Sequence, residues 1–182
     1  MAQATGSTIK GSYEVAQLYY QQGLTDAEVM AAANETLKMA RISNIDYAAA
    51  TDYATAAVKG FGLAYQDLAH INDVYSNLAA KTAADTEEIS IAMSKVASIA
   101  HSTGMELETT AAFLTQIIAT TREAPETAGT ALKTVIARFA EVKELISKGE
   151  ITGTDEEGTE ISVNNIEAAL KTAGVALRDT TG

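Results

Sequence analysis

Two histidines, His70 and His101, are the side chains best suited to proton transfer in this chain, and no cysteine accompanies them in its 182 residues. A metal centre needs three or four converging ligands, more than two histidines on separate helical segments supply. Asp67 and Asp73 stand one turn either side of His70, a spacing that could orient an imidazole but that ordinary ion pairing on a helix surface also produces. His70 is therefore read as a surface residue. The stretch KGFGLAY sets Gly60 and Gly62 one residue apart, as in a phosphate loop. Tyr65, however, occupies the third glycine position, and a helical pattern precedes the motif where a strand should, so the dinucleotide fingerprint fails twice. Asp155, Glu156, Glu157 and Glu160 are dense enough to suggest calcium but lack the spacing and central glycine of its twelve-residue loop. No Gly-x-Ser-x-Gly elbow occurs, and no carboxylate pair stands out for glycosidic acid–base work. Tyr13, Tyr19 and Tyr20 fit amphipathic packing better than base stacking. No catalytic, cofactor-binding or metal-ligating residue is assigned; no cofactor is expected, and the chain is read as non-enzymatic.

The elements that would have to carry such chemistry are helices. Apolar residues make up 47% of the chain, much of it alanine, with three Phe and no Trp, a composition that favours closely packed helices. A formal charge of -11 should repel phosphate backbones, so specific nucleic-acid binding is not expected. The apolar run Thr109 to Thr121 is far short of the ~20 residues of a membrane span.

Helix-spaced stripes recur along the chain. Leu68, Ile71, Tyr75 and Leu78 form one; Ile89, Met93, Val96 and Ala100 a second; Leu107, Ala111, Leu114 and Ile118 a third; Ala128, Leu132, Val135, Phe139, Val142 and Ile146 the longest. Thr25 with Glu28, and Asp85 with Glu88, have capping-box spacing, and Asp46 suits a third N-terminus. Gly23, Gly62, Gly104 and Gly174 each precede an apolar residue, the pattern of a left-handed C-terminal cap with its plug. Pro125 suits the first turn of the longest helix. Gly129, inside that helix, is best tolerated where another backbone comes close, and a tight crossing is expected there. Together these signals predict a mainly α fold of packed helical hairpins, about eight helices in all, with one small β-hairpin near 149–163. The expected organisation is a flexible leader over 1–12, a helical core over 13–148, and over 149–182 the hairpin, a short helix opening at Asn164 or Asn165, and an extended tail, packed on the core.

The blocks VAQLYYQQGLTDAEV, NIDYAAATDYATAAVKGFG, DVYSNLAAKTAADTEEISIAMSKVASIAHSTGM, TREAPETAGTALKTVIARF and NNIEAALKTAGVALRD, in this order, resemble the shared core region of phage tail tape measure proteins, from about Tyr13 to Asp179. The Pro125 to Gly129 unit and the Gly104–Met105 junction are its most specific parts. Family members place Ser after that junction as a helix cap; this chain has Glu106, which puts the start of that helix in question. The resemblance implies an excised piece of a longer virion protein that sits in the tail lumen, is made in the host cytoplasm, sets tail length and takes part in tail assembly and genome delivery. The implied partners are other tape measure copies, giving a homo-oligomer of the full-length protein, together with tail assembly chaperones and tail tube and tail tip proteins. The alternative is a wall-degrading or membrane-active module of a phage tail protein.

Overall fold

The structure is a computed structural model and describes residues 8–148, 152–154 and 160–162, with side chains as far as Glu144. The chain divides into two units, Met1–Ile136 and Ala137–Gly182. Seven α-helices are described: α1 (Ile9–Gln21), α2 (Asp26–Ile42), α3 (Tyr47–Phe61), α4 (Leu68–Ala79), α5 (Thr86–Ser102), α6 (Leu107–Thr121) and α7 (Pro125–Lys148), with a 3₁₀ turn at Tyr65–Asp67 ahead of α4. Mainly helical architecture is the outcome, with seven helices in place of about eight; the short helix expected from Asn164 lies outside the described residues. Of the expected hairpin, only two triplets are described, Thr152–Thr154 and Glu160–Ser162, paired antiparallel with Gly153 opposite Ile161. The residues between them are outside the described set, and the hairpin is not supported as a complete element. The first helix begins at Ile9 and buries Gly11, inside the stretch read as a leader.

Each helix starts and stops for a local chemical reason. Asp85 accepts from Glu88 N–H at 2.8 Å while Glu88 Oε2 accepts from Asp85 N–H at 3.0 Å, a reciprocal box that satisfies two otherwise orphaned donors at the start of α5. Asp46 accepts from Ala49 N–H at 2.8 Å to open α3. At α2, Glu28 Oε2 receives both the backbone N–H (2.8 Å) and the hydroxyl (2.7 Å) of Thr25, and this bonding holds the Glu28 carboxyl below its ordinary pKa. Glu106 contributes no side-chain cap to α6; the helix starts on its backbone carbonyl, which accepts from Thr110 N–H at 3.0 Å.

Gly23, Gly62 and Gly104 all adopt positive φ, and the residue after each donates back across the last turn: Leu24 to Tyr19 O (3.2 Å), Leu63 to Val58 O (2.9 Å) and Met105 to Ala100 O (2.9 Å). These six-to-one bonds close the carbonyls a helix end leaves open, and the apolar plug docks on the body. Asn44, φ 54°, does the same with Ile45 N–H to Ala40 O at 3.0 Å.

Within the first unit, α3 runs along α5, α6 packs on both α4 and α5, and α1, α2 and α3 pack on one another. Small residues let the backbones approach. A Cβ added at Gly60 would sit 2.5 Å from the Ala97 Cβ, which fixes the α3–α5 contact. One added at Gly129 would collide with the Ala92 carbonyl oxygen and lie 3.0 Å from its Cα, so α7 crosses α5 nearly backbone to backbone. The buried stripe of α7 in this unit is therefore Ala128, Leu132 and Ile136, flanking Gly129. Val135 and Phe139, expected in the stripe, are 50% and 54% exposed, a correction that follows from the helix being turned by its glycine contact. The stripes of α5 and α6 are buried throughout: Ile89, Met93, Val96 and Ala100, and Leu107, Ala111, Leu114 and Ile118.

Candidate functional site

His70 and His101 are not brought together by the fold. His70 Nε2 lies 2.5 Å from Glu108 Oε1, joining α4 to α6, whereas Asp67 is occupied in accepting from Ala64 N–H at 2.9 Å. The bond to His70 holds the Glu108 carboxyl below its ordinary value. Both partners are exposed and solvent-screened, so the pair contributes well under about 1 kcal/mol. His101 stands edge-on to Phe61, ring centroids 6.2 Å apart, and faces the open side of Gly62. Gly60 is part of α3, so its N–H is in the helix ladder and the false phosphate loop is ruled out as a loop. Among the described residues, no group of three His, Asp or Glu is placed to hold a metal ion. No helix there is long and apolar enough to cross a membrane.

The tyrosines divide by depth. Tyr13 and Tyr20 are exposed, the latter donating to Asp26 Oδ1 at 2.9 Å. Tyr19 is fully buried, its hydroxyl 2.6 Å from Thr36 Oγ1 and its ring edge-on to Tyr65 at 5.5 Å. Tyr75 is also buried, and its hydroxyl has no hydrogen-bond partner. It lines a small internal space that shares Ile42, Ser76 and Thr86 with an open groove of about 460 Å³, which is also lined by Ala79, Thr82, Ala83 and Asp85. That groove carries hydroxyls and methyls but no convergent acid, base or nucleophile.

Burial pushes the hydroxyls of both Tyr19 and Tyr75 well above their ordinary value of 10.0. In the unfolded chain they ionise near that value while the folded chain keeps them protonated, so their contribution is complete below about pH 10 and is lost as pH rises beyond it. The urea midpoint should hold steady to about pH 9 and fall above about pH 10. Tyr75→Phe should flatten that fall and, because it removes an unpartnered buried hydroxyl, leave neutral-pH stability unchanged or raise it by up to about 1 kcal/mol.

Of the residues expected to be structural, Gly23, Gly62 and Gly104 stand at helix exits, Pro125 opens α7 and Gly129 lies at its crossing with α5; Gly174 is outside the described residues. Sequence reasoning missed Asn44 and Arg122. Both adopt positive φ, and Arg122 also donates to Ala83 O at 2.8 Å, tying the end of α6 to the α4–α5 loop. The signal for Asn44 was available: it is the non-glycine residue that best tolerates this conformation, and it precedes Ile45 as Gly23 precedes Leu24.

The described residues thus form a body of capped helices in glycine-mediated contact, with an open groove lined mainly by hydroxyl and methyl groups. The chain belongs to the phage-related minor tail protein family, whose model matches residues 1–181. More narrowly, it is 34% identical over 154 residues to a tape measure protein of Pneumococcus phage Dp-1, an alignment that covers 82% of this chain and 13% of that relative. No solved structure matches the chain.

Proposed function

We propose that this chain is a structural, non-enzymatic segment of a tape measure protein, acting in tail assembly, tail length determination and genome delivery. The identity to the Dp-1 protein over most of the chain carries this reading. In it, the protein is made in the host cytoplasm and comes to lie in the tail lumen. Its partners are other tape measure copies in a homo-oligomer, tail assembly chaperones, and tube and tip proteins. The formal charge of -11 suits a lumen later crossed by DNA, because like charge discourages adhesion. Gly23, Gly62, Gly104, Pro125 and Gly129 serve it structurally, by ending, starting and closely packing helices. No observation favours the wall-degrading or membrane-active alternative.

A length-setting role has a geometric consequence. In-frame removal of this segment from the full-length protein should therefore shorten tails, by less than the roughly 270 Å that its residues would span as one continuous helix at about 1.5 Å each, because its helices fold back on one another. Electron microscopy of the mutant phage reads the change directly. Tails of unaltered length would refute a ruler role for this segment.

A further inference from the structure

Tyr75 carries a buried hydroxyl that nothing inside the fold uses. The residue is 3% exposed, and its hydroxyl has no hydrogen-bond partner among the described residues, although Ser43, Asn72 and Thr86 line the same small internal space. Those neighbours are turned elsewhere: Ser43 donates to Thr86 Oγ1 at 3.0 Å, and Asn72 donates to the Glu35 carbonyl at 2.9 Å. Phenylalanine would fill the position without stranding a donor, so the hydroxyl lowers stability and gains nothing from the body around it. Functional sites are where such local rules are broken without a compensating contact.

The internal space measures about 10 Å³, room for one heavy atom and its hydrogens. It adjoins the open groove between the ends of α2 and α4 and the start of α5, because Ile42, Ser76 and Thr86 line both. A ligand would therefore enter from the groove with one atom deep and the rest outside. No residue lining the space is charged, so an ammonium or a carboxylate buried there would lack a counter-charge. A guanidinium or an aromatic ring is too large, and a methyl group would leave the Tyr75 hydroxyl unpaired. A neutral oxygen satisfies it. In the groove outside, the Ser76 and Thr82 hydroxyls and the Asp85 carboxylate can accept N–H bonds, beside the methyls of Ile42, Ala79 and Ala83. An oxygen within, an N–H group without and a short aliphatic stem together describe a carboxamide. We propose that the groove is a docking site for a partner chain, which inserts a Gln side chain with its carbonyl oxygen on the Tyr75 hydroxyl and its NH2 toward Asp85. The groove is open on its outer side, so the partner's backbone stays outside. The inference stands on the first unit alone and does not depend on the tail role.

Capped tripeptides test this: acetyl-Ala-Gln-Ala-amide and its Glu and Leu counterparts are titrated into the isotopically labelled whole chain, and its amide resonances are followed by NMR. The Gln peptide should shift Ile42, Ser76 and Thr86 and bind about fivefold or more tightly than either counterpart. Tyr75→Phe should erase that advantage while its urea midpoint at neutral pH stays at or above the parent's, so that lost binding is not lost folding. Propionamide, which carries the same group without a backbone, should bind more weakly than the Gln peptide. Equal binding of the Gln and Leu peptides, no binding at millimolar concentrations, or an unchanged preference in Tyr75→Phe would overturn the proposal. So would propionamide binding as tightly as the Gln peptide, since the site would then take a free amide, or a crystal structure of the soaked chain in which the Tyr75 hydroxyl bonds to an ordered water only.

Discussion

Gly129→Val is expected to destabilise the protein by about 3 kcal/mol, although intrinsic propensity alone favours any ordinary residue over glycine within a helix. The first atom of a new side chain would strike the Ala92 carbonyl oxygen and sit 3.0 Å from the Ala92 Cα. Ala92 lies in the middle of α5, where its backbone cannot move without breaking the helix ladder. Lys95 Cβ, also 3.0 Å away, can yield only in part. The two helices must separate, which strips contacts from Ala128, Leu132 and Ile136 as well. Gly104→Ala is the informative contrast. It has open space around it and only a positive φ to accommodate, so its loss should be about 1 kcal/mol. Urea denaturation of both variants would separate close approach from backbone conformation as the reason for a glycine.

Leu114→Ala should cost a similar amount, about 3 to 4 kcal/mol, by the opposite mechanism. Leu114 is fully buried on α6, which packs on both α4 and α5, so truncation leaves a cavity bounded by helices that cannot easily collapse. A fall in the thermal midpoint of roughly 6 to 15 °C is expected. Phe139→Ala removes a larger side chain yet should change stability by no more than about 0.5 kcal/mol, because that ring is more than half exposed. Equal losses at the two positions would show that the core has been drawn in the wrong place.

Helix α5 was legible in full because its stripe, cap and exit agree: Asp85 and Glu88 box the start, the four apolar positions are all buried, and Gly104 with Met105 ends it, whereas of α6 the stripe was legible but its exit at Arg122 was not. The stripe of α7 was legible only in part. A sequence shows a period, but which side of the helix faces the body depends on a contact with a distant segment. Here Gly129 turns α7 so that Ile136 is buried and Val135 is not. Glu106 misled for a different reason. The absence of a good capping side chain weakens a helix start by typically about 1 kcal/mol, too little to move it in a packed body. Gly60 was weighed as phosphate chemistry when its neighbour in space, Ala97, made it a packing residue. The tail role itself came from the order of motifs along the chain, since nothing in the arrangement of His70, His101 and the acidic side chains among the described residues points to a reaction.

The most direct test joins the fold to the role. Phage carrying Gly129→Val in the full-length protein should be scored by electron microscopy for tail number and length, beside phage carrying Phe139→Ala. If the closely packed helices are what the tail uses, Gly129→Val lysates should contain few tails or tails of irregular length. Abundant tails of normal, uniform length, from a protein shown in vitro to have lost its helix packing, would contradict it.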